Sequence, residues 1–160
     1  KIISPGIELQ LSIQKGTLCI NIPDSIISLR IISGSYPNYQ AIFPKAFVTN
    51  IEIFSSDFIS GIKASNLFSD EFNYVKLDIQ DSSIILNSKN SNVGESVFKK
   101  DIKKQGENIS QSYNHRYLSD FVNRIKDDLI TIDISGKSTP TILRVKNDPS
   151  YTYLVMPMNK

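Results

Sequence analysis

An α+β fold is expected, built on a strand–helix–three-strand unit that occurs twice, with two helices packed against antiparallel sheets. Three observations predict it. Apolar and polar residues alternate through much of the first forty positions. Two later stretches, near residues 55–68 and 114–126, carry apolar residues at helical spacing behind a residue suited to capping. Each of these stretches follows one strand-like run and precedes three more, so the second half repeats the first.

The elements follow in order. Ile7-Glu-Leu-Gln-Leu-Ser-Ile13 has the period of a half-buried strand, and Gln14-Lys-Gly16 turns the chain. Thr17–Ile22 reads as a second strand, Pro23-Asp24 as a turn and Ser25–Ile32 as a third strand. This meander has one apolar face and needs another layer to cover it. Cys19, in the apolar run Thr17–Ile22, reads as a buried structural thiol. Gly34-Ser-Tyr-Pro-Asn-Tyr39 then breaks the pattern, and Pro37 and Pro44 bracket an extended connector.

The first copy of the unit begins with a strand at Ala46–Ile53. Ser55 or Ser56 caps a helix to about Phe68, with Phe54, Phe58, Ile59 and Ile62 on its apolar face. Strands follow at Tyr74–Ile79, Ser83–Asn87 and about Glu95–Lys100. In the second copy a strand at Ile109–Tyr113 leads to Asn114, which caps a helix to about Lys126. Tyr117, Leu118, Phe121, Val122 and Ile125 form its apolar face. Strands at Leu129–Ser135, Thr141–Lys146 and Tyr151–Met156 complete the unit. The basic run Lys99–Lys104 reads as a solvated outer loop between the copies.

Composition narrows the function classes. The 160 residues are 40% hydrophobic and 21% charged, as in globular proteins, and no apolar run reaches membrane-spanning length. Lys1-Ile2-Ile3-Ser4-Pro5 lacks the apolar core of a signal peptide. The absence of an initiator Met suits a chain that begins partway through a longer protein. One cysteine and one histidine rule out an internal disulfide and a Cys/His zinc site, and the lone thiol suits a reducing, cytoplasmic setting. A net charge of +2 is too small to signal nucleic acid by itself, so any DNA contact must come from local placement of charge.

Three motifs carry a family resemblance: Gly34-Ser-Tyr-Pro-Asn-Tyr-Gln-Ala-Ile-Phe-Pro44, Asn114-His-Arg-Tyr-Leu-Ser-Asp-Phe-Val122 and Tyr153-Leu-Val-Met-Pro-Met158. In this order and spacing they resemble the bacterial DNA polymerase III sliding clamp, the β subunit. The resemblance implies a DNA-clamp fold. Residues 1–43 would be the end of the middle domain plus the connector, and residues 44–160 the whole third domain. It further implies a head-to-tail homodimer that encircles duplex DNA without reading its sequence. Polymerase and clamp-loader subunits would dock on it through short linear motifs, with no cofactor, metal or membrane.

The resemblance also implies three surfaces. A hydrophobic peptide groove would use Pro37, Ala41, Ile42, Ser138, Pro140, Leu154, Val155, Met156, Pro157 and Met158, with Asn114 and Tyr117 at its edge. Ala41 stands where relatives often carry a long basic side chain, and Ser138 where they often carry an aliphatic one. Lys63, Arg116, Arg124 and Lys126 would make loose phosphate contacts on the DNA-facing side. Leu67 and Phe68 would meet the neighbouring subunit and, without it, leave an exposed apolar patch.

Two other functions are open to the residues: a stand-alone β-rich peptide adaptor, and a hydrolase or nuclease using Asp127, Asp128 and His115. No nucleophile elbow or phosphate-binding glycine loop frames a catalytic centre. Asp127-Asp128 reads as a helix-ending turn and His115 as an exposed residue at a helix start, so no enzyme activity is expected.

Overall fold

The computed structural model describes residues 6–126 and 128–159. The chain divides into two compact units, Lys1–Asn38 and Tyr39–Lys160.

The first unit is an antiparallel sheet of β1 (Gln10–Gln14), β2 (Thr17–Ile22) and β3 (Ser25–Arg30), in that order. Lys15 and Gly16 both take positive φ, 47° and 75°. That two-residue turn matches the right-handed twist of the strands it joins. Cross-strand register aligns Leu11, Ile20 and Ile27 in one row and Ile13, Leu18 and Leu29 in the next. One face is therefore continuously apolar, and it is open: Leu11 is 64% and Ile13 68% exposed. Ser12, Cys19 and Ser28 form a row on the opposite face, with the Cys19 Sγ 3.8 Å from the Ser28 Oγ. The thiol is thus only half-buried, against expectation, because the period of two turns it away from the apolar side.

The second unit opens with a 3₁₀ turn at Tyr39–Ile42. The first copy follows as β4 (Thr49–Phe54), α1 (Ser55–Leu67), β5 (Tyr74–Gln80), β6 (Ser83–Asn90) and β7 (Gly94–Asp101). A short β8 (Lys103–Gly106) leads to the second copy: β9 (Ile109–Asn114), α2 (His115–Val122), β10 (Leu129–Ile134), β11 (Thr141–Val145) and β12 (Asp148–Val155).

The copies exchange their first strands. β4 pairs with β10 in a five-stranded sheet ordered β12-β11-β10-β4-β8, while β9 pairs with β5 in a four-stranded sheet ordered β7-β6-β5-β9. Neither copy can complete a sheet alone. The core draws on both sheets and both helices: Ile51 and Ile53; Val75, Leu77 and Ile79; Ile84 and Leu86; Ile130, Ile132 and Ile134. These pack against Phe58 and Ile62 of α1 and Leu118, Phe121 and Val122 of α2.

Several local expectations are corrected. Ser55 is the first residue of α1, not its cap. Phe54 holds the cap position and its side chain is exposed rather than on the apolar face. Ser55 is instead fully buried, and its hydroxyl donates to the Lys126 carbonyl (3.0 Å) and accepts from the Asp128 N–H (2.9 Å). Asn114 does cap α2, its side-chain oxygen accepting from the Arg116 N–H at 2.9 Å.

The helix it starts ends at Val122, one turn short of Lys126, because the chain must turn there to present Lys126 and Asp128 to Ser55. Tyr117 is exposed, outside the apolar face of α2. Lys99–Lys104 is not a loop: it lies in β7 and β8, and β8 pairs along β4 with Lys103 opposite Glu52. An edge strand studded with lysines resists further pairing, which explains why its sequence does not read as a strand.

Candidate functional site

The chain end gathers the largest share of the expected groove. In β12 the side chains alternate. Val155 is buried in the core, and Tyr151 and Tyr153 pack against it with ring centroids each 5.7 Å from Phe121. Leu154 points to the other side of the sheet, directly opposite Ile142, which is fully buried outside the main core. Pro157 has no N–H to continue the ladder. Beyond it the chain crosses to the other sheet, where the Met158 N–H donates to the Ser112 carbonyl of β9 at 2.7 Å. The Ser138 hydroxyl donates to the Asn159 side-chain oxygen at 2.9 Å. The tail therefore bridges the two sheets and is pinned at both sides, leaving Met156 52% exposed.

Ser138 takes a left-handed conformation, φ 59°, in the loop leading to β11. The Pro140 carbonyl accepts from the Ser135 hydroxyl at 2.9 Å, and Thr141, the next residue, pairs with Val155. Ser138, Pro140 and Leu154–Met158 thus lie together at one end of the unit. Asn114 follows Ser112 on β9, and Tyr117 is exposed one turn into α2. Ala41 and Ile42 sit exposed on the 3₁₀ turn. Pro37 belongs to the first unit.

A polar cluster stiffens this end. The buried Tyr113 hydroxyl donates to the Gln111 Oε1 at 2.9 Å and lies 2.6 Å from the Thr141 Oγ1, tying β9 to β11. Burial pushes the Tyr113 phenol up to about 12, outweighing the Thr141 hydrogen bond, so it stays a neutral donor.

The tail, with Lys76, Ser110, Ser112 and Lys137, also walls an open cleft of about 330 Å³. None of these four residues was singled out by the sequence. They come from β5, β9 and the loop after β10, and only the fold brings them together.

The candidate DNA-facing residues are all exposed: Lys63 on α1, Arg116 on α2, and Arg124 and Lys126 beyond the end of α2. Arg124 and Lys126 line a cleft of about 610 Å³ with Asp128, Asp148 and Tyr151, so two carboxylates offset the two cations there. Leu67, the last residue of α1, is 73% exposed. Phe68 is half-buried, and its ring covers Gly94 closely enough that a Cβ there would stand 3.5 Å from it. Phe72, Val93 and Val97 add further exposed apolar surface in the turn after α1 and around β7.

Of the three candidate hydrolytic residues, His115 and Asp128 lie among the described residues. His115 is only 4% exposed, contrary to the expectation of an exposed residue. The fold buries it because α2 begins directly at the end of β9. The Asp128 carboxylate accepts the Leu129 N–H at 2.7 Å, and Asp127 lies outside the described residues. Among the described residues no group of three or more His, Cys, Asp or Glu could hold a metal ion. No helix among them is long and apolar enough to cross a membrane.

Comparison with known proteins agrees with the resemblance. The family described as DNA polymerase III beta subunit, C-terminal domain, matches residues 40–159. The beta sliding clamp of Staphylococcus epidermidis is 29% identical over 134 residues, covering 81% of this chain and 35% of that protein. That of Staphylococcus aureus is 28% identical over the same lengths. The chain thus spans about a third of the length of these curated relatives.

Among solved structures, the Bacillus subtilis sliding clamp superposes with a TM-score of 0.84 at 22% identity, covering 95% of this chain and 41% of that one. The Thermotoga maritima β subunit gives 0.82 at 20% identity, covering 95% and 42%. At these identities the likeness establishes the DNA-clamp fold. By that fold and by the family match over most of its length, the chain belongs to the DNA polymerase III beta subunit family, as a sliding-clamp C-terminal domain preceded by a three-stranded sheet.

Proposed function

We propose that the chain is the C-terminal part of a sliding clamp that encircles duplex DNA and tethers a replicative polymerase in the cytoplasm. It acts as a processivity factor and not as a catalyst. In this reading residues 1–43 end the middle domain and residues 44–160 form the third domain. The open apolar face of the first unit supports it, because Leu11, Ile13 and their row partners are a layer awaiting the rest of a domain. The sliding-clamp matches favour this reading over a stand-alone adaptor.

The observation that carries the reading is the pinned tail. It holds Leu154 and Met156 on the outer side of β12 and beyond it, while Val155 anchors the strand in the core. Such a surface suits short apolar motifs from several partners, since methionine deforms to fit each. Ser138, Pro140, Pro157 and Met158 flank it, with Asn114 and Tyr117 at the edge. Ala41 and Ile42 would complete it in the assembled clamp. Lys63, Arg116, Arg124 and Lys126 supply weak phosphate contacts to DNA that the ring holds topologically. Leu67 and Phe68 meet the neighbouring subunit of a homodimer.

The test is binding of a fluorescent Gln-Leu-Ser-Leu-Phe peptide to the chain and to a version ending at Val155. Stopping there removes the tail but keeps the buried strand residue. Saturable micromolar binding, lost on truncation with the fold retained, is the expected result. Equal binding by both forms sinks the assignment of the groove to the tail.

A further inference from the structure

We propose that the cleft walled by the tail is a carboxylate site, which takes an acidic residue flanking the apolar motif of a docked peptide. The proposal rests on the peptide-groove reading and adds the charge of the ligand to it. The cleft, about 330 Å³, is lined by Lys76, Lys137, Ser110, Ser112 and the tail segment Pro157–Asn159, with no acidic side chain among its walls. Lys76 holds one carboxylate, Asp78, at 3.0 Å, and that residue stands outside the lining. Lys137 is exposed and has no ion-pair partner among the described residues. The cleft therefore carries surplus positive charge.

Its shape is held from both sides. The Met158 N–H is bound to the Ser112 carbonyl at 2.7 Å, and the Ser138 hydroxyl to Asn159 at 2.9 Å. A carboxylate entering this space meets Lys137, which has no ion-pair partner among the described residues, and Lys76, which it would share with Asp78, whereas an apolar side chain gains little from such walls. The same tail carries exposed Met156, so a peptide lying along the tail brings its neighbouring residues to the cleft. That continuity points to a peptide carboxylate and not to a nucleic-acid phosphate.

The experiment compares two labelled peptides with the same Gln-Leu-Ser-Leu-Phe core, flanked on both sides by Glu pairs or by Gln pairs. The Glu-flanked peptide is expected to bind about three- to tenfold tighter at low salt. The advantage should vanish near ~1 M salt, where charges are screened within about 3 Å. Lys76→Ala combined with Lys137→Ala should abolish the advantage and leave the Gln-flanked peptide unaffected; both side chains are partly or fully exposed, so the fold should survive.

Equal affinity of the two peptides for the unaltered chain overturns the proposal. So does an advantage that survives the double substitution, or a double variant that loses duplex-DNA binding instead. A Glu-flanked peptide with an all-alanine core separates the two readings: it should bind weakly, and if it binds as well as the intact motif, charge alone holds the peptide and the groove fails together with a site for an acid flanking its motif, whereas equal binding of the Glu- and Gln-flanked peptides leaves the groove standing and removes only the acid site. If no peptide binds, both fail.

Discussion

Ser55 and His115, the first residues of the two helices, make the same main-chain bond to opposite halves of the unit. The Ser55 N–H donates to the Asp128 carbonyl, just before β10, and the His115 N–H to the Asn73 carbonyl, just before β5, each at 2.8 Å. Each helix start is thereby fastened to the chain that leaves the other helix. This reciprocal tie accompanies the exchange of β4 and β9 between the sheets, and it expresses the sequence duplication in hydrogen bonds. The side chains at the two positions have diverged. The Ser55 hydroxyl both donates and accepts, whereas His115 reaches the Ser69 Oγ through Nε2 at 3.3 Å and its buried Nδ1 meets no other residue among those described, only its own backbone.

Removing the Ser55 hydroxyl should therefore cost far more than removing another buried hydroxyl on the same helix. Ser55→Ala strands the Asp128 N–H and the Lys126 carbonyl, a loss of about 1–3 kcal/mol. Ser65 is equally buried but its Oγ has no partner among the described residues, so Ser65→Ala relieves a desolvated polar group and should be neutral or stabilising. Urea unfolding of both variants checks this. Equal losses would mean the Ser55 bonds carry no special weight.

His115 should make stability depend on acid. Burial holds its imidazole below the ordinary 6.5, and the Arg116 charge adds to the shift, against a smaller opposing backbone hydrogen bond. In the window between the lowered native value and 6.5, the unfolded chain binds more protons than the folded one. The contribution is therefore complete above about 6.5 and is lost as pH falls through that window. His115→Gln keeps a polar group against Ser69 but does not titrate there. Its unfolding free energy should fall less between about pH 7 and about pH 5 than that of the unaltered chain. Parallel curves would clear His115 of any role in acid sensitivity.

Gly106 closes β8 against β4 under a steric constraint that no side chain can meet. Its φ is +99°, and a Cβ there would stand 2.0 Å from the Val48 carbonyl oxygen, an atom of the main chain that cannot rotate away. Gly106→Ala should destabilise by about 2 kcal/mol or more and free the β8 edge. Gly61→Ala is the informative contrast: its Cβ would meet the Phe98 ring at 2.8 Å and the Leu86 Cδ2 at 3.0 Å, which are side-chain atoms and not main chain. Thermal unfolding should rank Gly106→Ala as the more damaging change.

The periodic elements were the readable part of this chain. β2 spans Thr17–Ile22 as its alternation implies, and Asn114 caps α2 as its residue type implies. What local pattern missed was set by distant partners. α2 stops at Val122 because Lys126 and Asp128 are claimed by Ser55, some seventy positions away. β8 is polar and basic, and only its pairing with β4 makes it a strand. His115 has a polar neighbourhood in sequence and a buried one in space. In the candidate site, the tail motif Tyr153–Met158 was singled out by its resemblance to the family. The lysines and serines beside it were not, because Lys76, Ser110 and Lys137 meet only across the two sheets that the tail joins.

The first unit should govern how the isolated chain behaves in solution. Its apolar face presents Leu11, Ile13, Leu18, Ile20, Ile27 and Leu29 in two adjoining rows, with no layer over them among the described residues of its own unit. A contiguous open surface of that kind promotes association. The 160-residue chain should therefore sediment as a concentration-dependent mixture. Leu11→Lys with Ile13→Lys, both on the edge strand β1, should shift it to monomer, because two like charges on one face oppose stacking. The second unit has its own core, so its unfolding transition should be unchanged in that variant. Association that persists in the Lys variant would place the contact elsewhere, and the exposed Leu67 at the end of α1 becomes the next residue to replace.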